Sequence, residues 1–184
     1  MIECAPEKRE SIEALRALPI NVAPAADGSA TGGADYTTPP SFSDGVTLAA
    51  GVLTVPAGVT SFTVTVPTLT DSIDEGASET YNLTVGSQSA LGTITDDDAA
   101  PTITGVTSDS QLEGTSLVHT VTLSNASSSS TSFAYTQGGG SATGGGVDYT
   151  TPPSFSNGVT LVGGNLIVPA GVTSFTITTP TSLD

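Results

Sequence analysis

Between Ser61 and Val66 apolar and polar residues alternate, with Phe62, Val64 and Val66 on one side and threonines on the other. The same period of two runs through Glu79 to Val85, where Tyr81, Leu83 and Val85 share a side. It returns from Leu117 to Leu123, with Leu117, His119, Val121 and Leu123 together. Successive side chains of an extended strand point to opposite faces, so each run predicts a strand with one buried face. Shorter runs predict strands at Val52 to Val55, ahead of a Pro56-Ala57-Gly58 turn, and at Leu91 to Thr95, Thr102 to Val106 and Phe133 to Thr136. Asn125 to Ser132 reads as a Ser-rich turn, and Pro152-Pro153 as a loop or sheet edge, because proline cannot donate to a central ladder. Pro6 to Leu18 has a different rhythm: Ile12, Leu15 and Leu18 recur every three residues behind a proline, which predicts a short helix. Many short strands at this spacing predict an all-β chain, built as an Ig-like antiparallel β-sandwich.

The pattern occurs twice. Asp35 to Asp71 returns at Asp148 to Asp184 with a constant offset of 113 (148 − 35), and about a quarter of the positions differ. Upstream, GSATGG at 28–33 returns as GSATGGG at 140–146. A domain-sized period describes tandem modules rather than the coils of a solenoid. The chain then divides into an atypical segment, 1–24, either foreign to the modules or a short helix; the later part of a first module, 25–98; and the opening part of a second, 99–184. Asp96-Asp97-Asp98-Ala99-Ala100-Pro101 is the joint. A seven-residue strand spans about 23 Å, whereas the three residues 99–101 reach only about 10 Å. The halves therefore read as neighbours in a linear array, not as two parts of one sandwich. Each would leave sheet edges exposed and prone to association.

Aromatic residues make up 5% of the chain and Trp is absent, so the core has to come from Val, Leu, Ile and a few Phe and Tyr. The net charge of −15 is distributed unevenly: Lys8, Arg9 and Arg16 precede Ala25, and 14 acids follow it with no Lys or Arg among them. No basic patch exists to neutralise phosphates, which argues against nucleic acid as a partner. Metal cations are one way to relieve such self-repulsion; solubility or a saline habitat is the other account of bulk acidity. The single cysteine, Cys4, excludes a disulfide framework within the chain. No run of 18 apolar residues predicts a membrane span, and no signal peptide is visible at Met1.

Nearly all of these acids fall in loops or at strand ends, among them Asp35; Asp71, Asp74, Glu75 and Glu79; Asp96, Asp97 and Asp98; then Glu113, Asp148 and Asp184. Ca²⁺ takes six to eight oxygen ligands from carboxylates, carbonyls and water, and three adjacent aspartates with no basic partner suit it. A solvated, self-repelling linker is the competing account of the triplet. The EF-hand spacing fails, because Ile73 and Asn82 stand at the third and twelfth positions after the count begins at Asp71. Tandem GGxGxD, the signature of a calcium β-roll, is missing.

The second copy runs Glu113-Gly114, VHTVTLSN, GGGSATGGGVDYT and IVPAGVTSFTI; the first continues through TDSIDEGASETYNLTV to LGTITDDD. This order resembles the Calx-β domain, found in arrays in giant, type I-secreted bacterial surface adhesins and, in shorter form, in sodium–calcium exchangers. The resemblance covers residues 25–184 and implies an Ig-like sandwich that binds Ca²⁺ at one pole. It implies metal ligation by the early-strand Glu113, by the DY aspartates Asp35 and Asp148, by the loop acids Asp71, Asp74 and Glu75 and by the terminal Asp96, Asp97 and Asp98. Asp184 is the second copy's counterpart of Asp71. The loop reads Asp-Ser-Ile-Asp where strong binders have paired aspartates, and neither module holds the whole set.

The expected function is that of a calcium-binding extender repeat in a large secreted, cell-surface adhesin of bacterial biofilms. Its partners would be neighbouring repeats and a distal adhesion target. A glycan-binding module is the alternative, although no cluster of exposed aromatic residues supports a sugar site. No enzyme is expected: one His, one Cys and the lack of Lys or Arg beyond residue 24 leave no nucleophile–base pair.

Overall fold

The structure, a computed structural model, describes residues 16–19, 29–76 and 78–183. These are all β, with no helix among them, and no helix long and apolar enough to cross a membrane. The strands are β1 (Arg16–Pro19), β2 (Ser41–Phe42), β3 (Thr47–Ala49), β4 (Val52–Val55), β5 (Val64–Thr65), β6 (Ile73–Asp74), β7 (Glu79–Val85) and β8 (Gln88–Ile94). They continue with β9 (Ile103–Val106), β10 (Leu117–Leu123), β11 (Ala126–Ser127), β12 (Thr131–Ala134), β13 (Ser154–Phe155), β14 (Thr160–Val162), β15 (Asn165–Val168) and β16 (Ser174–Thr179). β4, β7 and β10 have the bounds that the sequence predicts, whereas the alternating run Ser61 to Val66 is strand only at Val64–Thr65.

Two sequence expectations need correction. Arg16–Pro19, the end of the expected helix, is extended and pairs antiparallel with β4; residues 6–15 lie outside the described residues. Pairing supplies backbone partners that a three-residue apolar rhythm cannot foresee. Second, the Ser-rich segment Asn125 to Ser132 is not all turn, since it contains β11 and the first residues of β12.

The chain forms two compact units. The first takes the chain up to Thr70 together with Glu79–Ile94; the second takes Asp71–Ser78 and everything from Thr95 onward. In the first, the strand orders are β1-β4-β3, β2-β5 and the hairpin β7-β8. In the second they are β13-β16-β10-β9, β12-β15-β14 and the parallel pair β11-β6. Apart from that pair, the ladders are antiparallel.

The sequence repeat folds in one register twice. Ser41 faces Thr65 and Phe42 faces Val64 in the first unit; Ser154 faces Thr178 and Phe155 faces Ile177 in the second. The hairpins β3–β4 and β14–β15 match in the same way. Outside the repeat, unlike sequences occupy one place. β1 opposes β4 as β12 opposes β15, with Arg16 facing Val55 where Thr131 faces Val168. The N-terminal stretch thus supplies the strand that the second unit takes from its own module.

Each unit has its own core. Val46, Leu53 and Val55 are buried in the first, with Phe42, Leu48, Phe62 and Val85 packed on them. The second buries their repeat partners Val159, Leu166 and Val168 and adds Val121, Leu123, Phe175 and Ile177. These are the aliphatic and Phe side chains that a chain without Trp has available.

Candidate metal site

The acids that meet do so because two segments far apart in sequence are pinned side by side in the second unit. β6 runs parallel to β11, Ile73 opposite Ala126 and Asp74 opposite Ser127. The Asp74 carbonyl accepts from the Ser127 hydroxyl at 3.0 Å and from the Ser128 N–H at 2.8 Å. Asp71 Oδ1 accepts the Ile73 N–H at 2.7 Å, an Asx turn that shapes the entry to β6. Downstream, Asp96 joins this loop to the triplet: its Oδ2 accepts the Glu75 N–H at 2.9 Å and its Oδ1 accepts the Asp98 N–H at 3.0 Å. Asn125 Nδ2 donates to the Ala99 carbonyl at 2.9 Å and fixes the chain just beyond the triplet.

The electrostatics divide the acids by role. Hydrogen bonds from the Asp98 and Glu75 amides hold the Asp96 carboxyl below the ordinary range, against a smaller opposing effect of desolvation. Asp98 is pushed up, first by desolvation and then by the charges of Asp97, Asp96, Asp71 and Asp74. Asp96 organises the site, and Asp98 carries its repulsion. One oxygen from each of Asp96, Asp97 and Asp98 lies within 4.8 Å of the others. Oxygens around an ion at 2.3–2.6 Å are at most about 5 Å apart, so this group could hold a metal ion. Exposed acidic groups of this kind are also common without one.

Asp35, Asp148 and Glu113 belong to other loops. Asp35, in the first unit, is buried, and its carboxylate accepts the Thr31 N–H. Its repeat partner Asp148 accepts the Thr143 N–H in the same manner. Both side chains clamp the glycine-rich loop that leads into the Asp-Tyr step. Glu113 sits in the exposed turn closed by Thr115 N–H to the Leu112 carbonyl. That turn meets the Asp148 loop: the Thr181 hydroxyl donates to the Thr115 carbonyl at 2.7 Å, and the Ser182 N–H to the Asp148 carbonyl at 3.0 Å. Asp184 lies outside the described residues.

Two residues of structural weight were not singled out from the sequence. Ser127 anchors the acid loop, yet its run of serines reads as a turn. Asp109 accepts from the Val118 and Ser110 amides, each at 2.8 Å, and from Gln111 Nε2 at 3.0 Å, which lowers its pKa with help from nearby His119. The Asp-Ser pair was the one local hint, since aspartate readily caps its own turn. His119 bonds through Nδ1 to the Thr107 carbonyl at 2.8 Å.

No family model, no curated protein and no solved structure matches this chain.

Proposed function

We propose that the chain is a calcium-binding structural repeat, of the Ig-like Calx-β type, in an extended adhesin at a bacterial cell surface. The observation that supports this most is the joining of the 71–75 loop to the 96–98 triplet through Asp96, in a chain with no Lys or Arg after Arg16. An ion there would cancel the repulsion focused on Asp98 and cross-link two segments about 20 positions apart in sequence. That is the chemistry of a stiffener rather than a catalyst. The near-identical repeats, folded in one register, support a tandem architecture in which neighbouring modules are the first partners.

Binding that favours the folded state by a hundredfold excess of ligand over Kd is worth about 2.7 kcal/mol. For units of this size, that is a melting shift of about 10 °C or more. The test is a melting curve of the whole chain in EDTA, in millimolar Ca²⁺ and in Mg²⁺ at equal ionic strength. A Ca²⁺-specific rise that vanishes in the triple variant Asp96→Asn, Asp97→Asn, Asp98→Asn supports the reading. Equal curves in EDTA and Ca²⁺ would overturn it for this chain.

A further inference from the structure

The turns that follow β2 and β13 are built alike except at one position. Ser43 and Ser156 begin them, and their N–H groups donate to the Thr63 and Thr176 carbonyls, each at 3.1 Å. Their hydroxyls accept the N–H of those same threonines, at 2.8 and 2.7 Å. Their carbonyls accept from Val46 and Val159, each at 3.1 Å. Between serine and valine stand Asp44-Gly45 in one copy and Asn157-Gly158 in the other. Both pairs are exposed and left-handed, with φ of 55° and 71° in the first and 53° and 74° in the second. Asparagine and aspartate both tolerate that region.

The two side chains bond differently. Asn157 Nδ2 donates to the Ser174 carbonyl at 2.7 Å, which ties the turn to the first residue of β16. The Asp44 carboxylate has no proton to give, and accepts instead from the Ser43 hydroxyl at 2.5 Å.

We propose that Asn157-Gly158 is a site of covalent modification, where water converts the asparagine to aspartate and isoaspartate. The Gly158 nitrogen attacks Asn157 Cγ and loses its proton. The Cγ–Nδ2 bond breaks, ammonia leaves with that proton, and a cyclic imide remains. Water then opens the ring: at the side-chain carbonyl it gives aspartate, at the main-chain carbonyl isoaspartate. One water is consumed and one ammonia released, with no change of oxidation state. Gly158 has no side chain to crowd the attack, and exposure supplies the water. Asn82, Asn125 and Asn165 are followed instead by Leu83, Ala126 and Leu166. Because the turn and the bond to Ser174 hold the asparagine, attack waits on a local opening. The first copy shows that the fold accepts aspartate here, since Asp44 keeps the same backbone. What the product loses is the donor to Ser174. The reaction therefore releases the start of β16 and adds a negative charge to a chain that already carries −15.

The intact chain is kept in warm, mildly alkaline buffer while peptide mapping follows the amide-to-acid mass change at each asparagine. Enzymatic methyl labelling counts isoaspartate separately. Conversion is expected first at Asn157, with both products in its peptide. The Asn157→Asp chain should stay folded, as its twin does, and should exchange the Ser156 and Thr176 amides about fivefold faster, the worth of one lost hydrogen bond. Conversion at Asn157 no faster than at Asn82, Asn125 and Asn165 would overturn the modification site. Exchange in Asn157→Asp equal to that of the parent would overturn the release of β16.

Discussion

At the scale of single residues, the repeat provides its own controls. The β14–β15 hairpin turns through Gly163 and Gly164, with φ of 58° and 82°. Its twin turns through Ala50 and Gly51, with φ of 47° and 78°. A side chain in the left-handed region is strained, and the two-residue turn demands that region at both positions. Ala50→Gly is expected to stabilise the first unit by about 1 kcal/mol, and Gly163→Ala to destabilise the second by a similar amount. A Cβ at Gly163 would touch nothing within 4 Å, so the cost there is conformational alone. Urea unfolding of the two variants measures both.

The acids make an opposed pair of predictions. The folded pKa of Asp98 is raised above its ordinary 3.8, so the stability it contributes is present below that value and lost as pH rises through the folded one. Asp98→Asn should therefore melt higher than the parent at pH 7 in EDTA, lose that advantage below pH 3.8, and respond less to Ca²⁺. Asp96 is depressed, so its contribution is present above 3.8 and lost as pH falls through its folded value. Asp96→Asn should melt lower at pH 7, because one amide oxygen replaces the two oxygens that accept from Glu75 and Asp98. Melting curves across pH 3–7 distinguish the two.

Among elements, the β7–β8 hairpin is the most sharply specified. Its seven pairs run from Glu79–Ile94 to Val85–Gln88, around a turn that begins with Gly86 at φ 63°. Tyr81 lies directly across from Gly92, and a Cβ there would come within 2.3 Å of the tyrosine ring. The glycine makes room for the ring that stacks on Tyr36. Gly92→Ala should destabilise the first unit by about 1–3 kcal/mol, the usual cost of overpacking. It should also change tyrosine fluorescence, and an unchanged melt would show that the hairpin does not need the stack. The long strands were legible because seven alternating positions reveal a buried face on their own. β2, β6, β11 and β13 were not, because two residues have no period and become strands only when a ladder partner arrives.

For the whole molecule, charge is the dominant variable. With −15 overall and no cation after Arg16, the folded chain repels itself. Raising ionic strength from about 0.01 to 0.15 M shortens the screening length from about 30 to about 8 Å. The melting temperature in EDTA should climb with NaCl, and a fall would mean that specific ion pairs outweigh the repulsion. The sequence by itself determined the β class, the repeat, the long strands and the candidate acids, because each is written in local period, identity or composition. Only the tertiary structure decided which acids meet. Asp96 reaches Glu75, and Ser127 reaches Asp74, across gaps that no local pattern encodes. It likewise decided that Asp35 and Asp148 clamp loops, that Arg16–Pro19 is a strand, and that Phe62 stays half-buried while Phe175 does not. Burial and pairing depend on what lies alongside a residue, and near-identical stretches of sequence here have different neighbours.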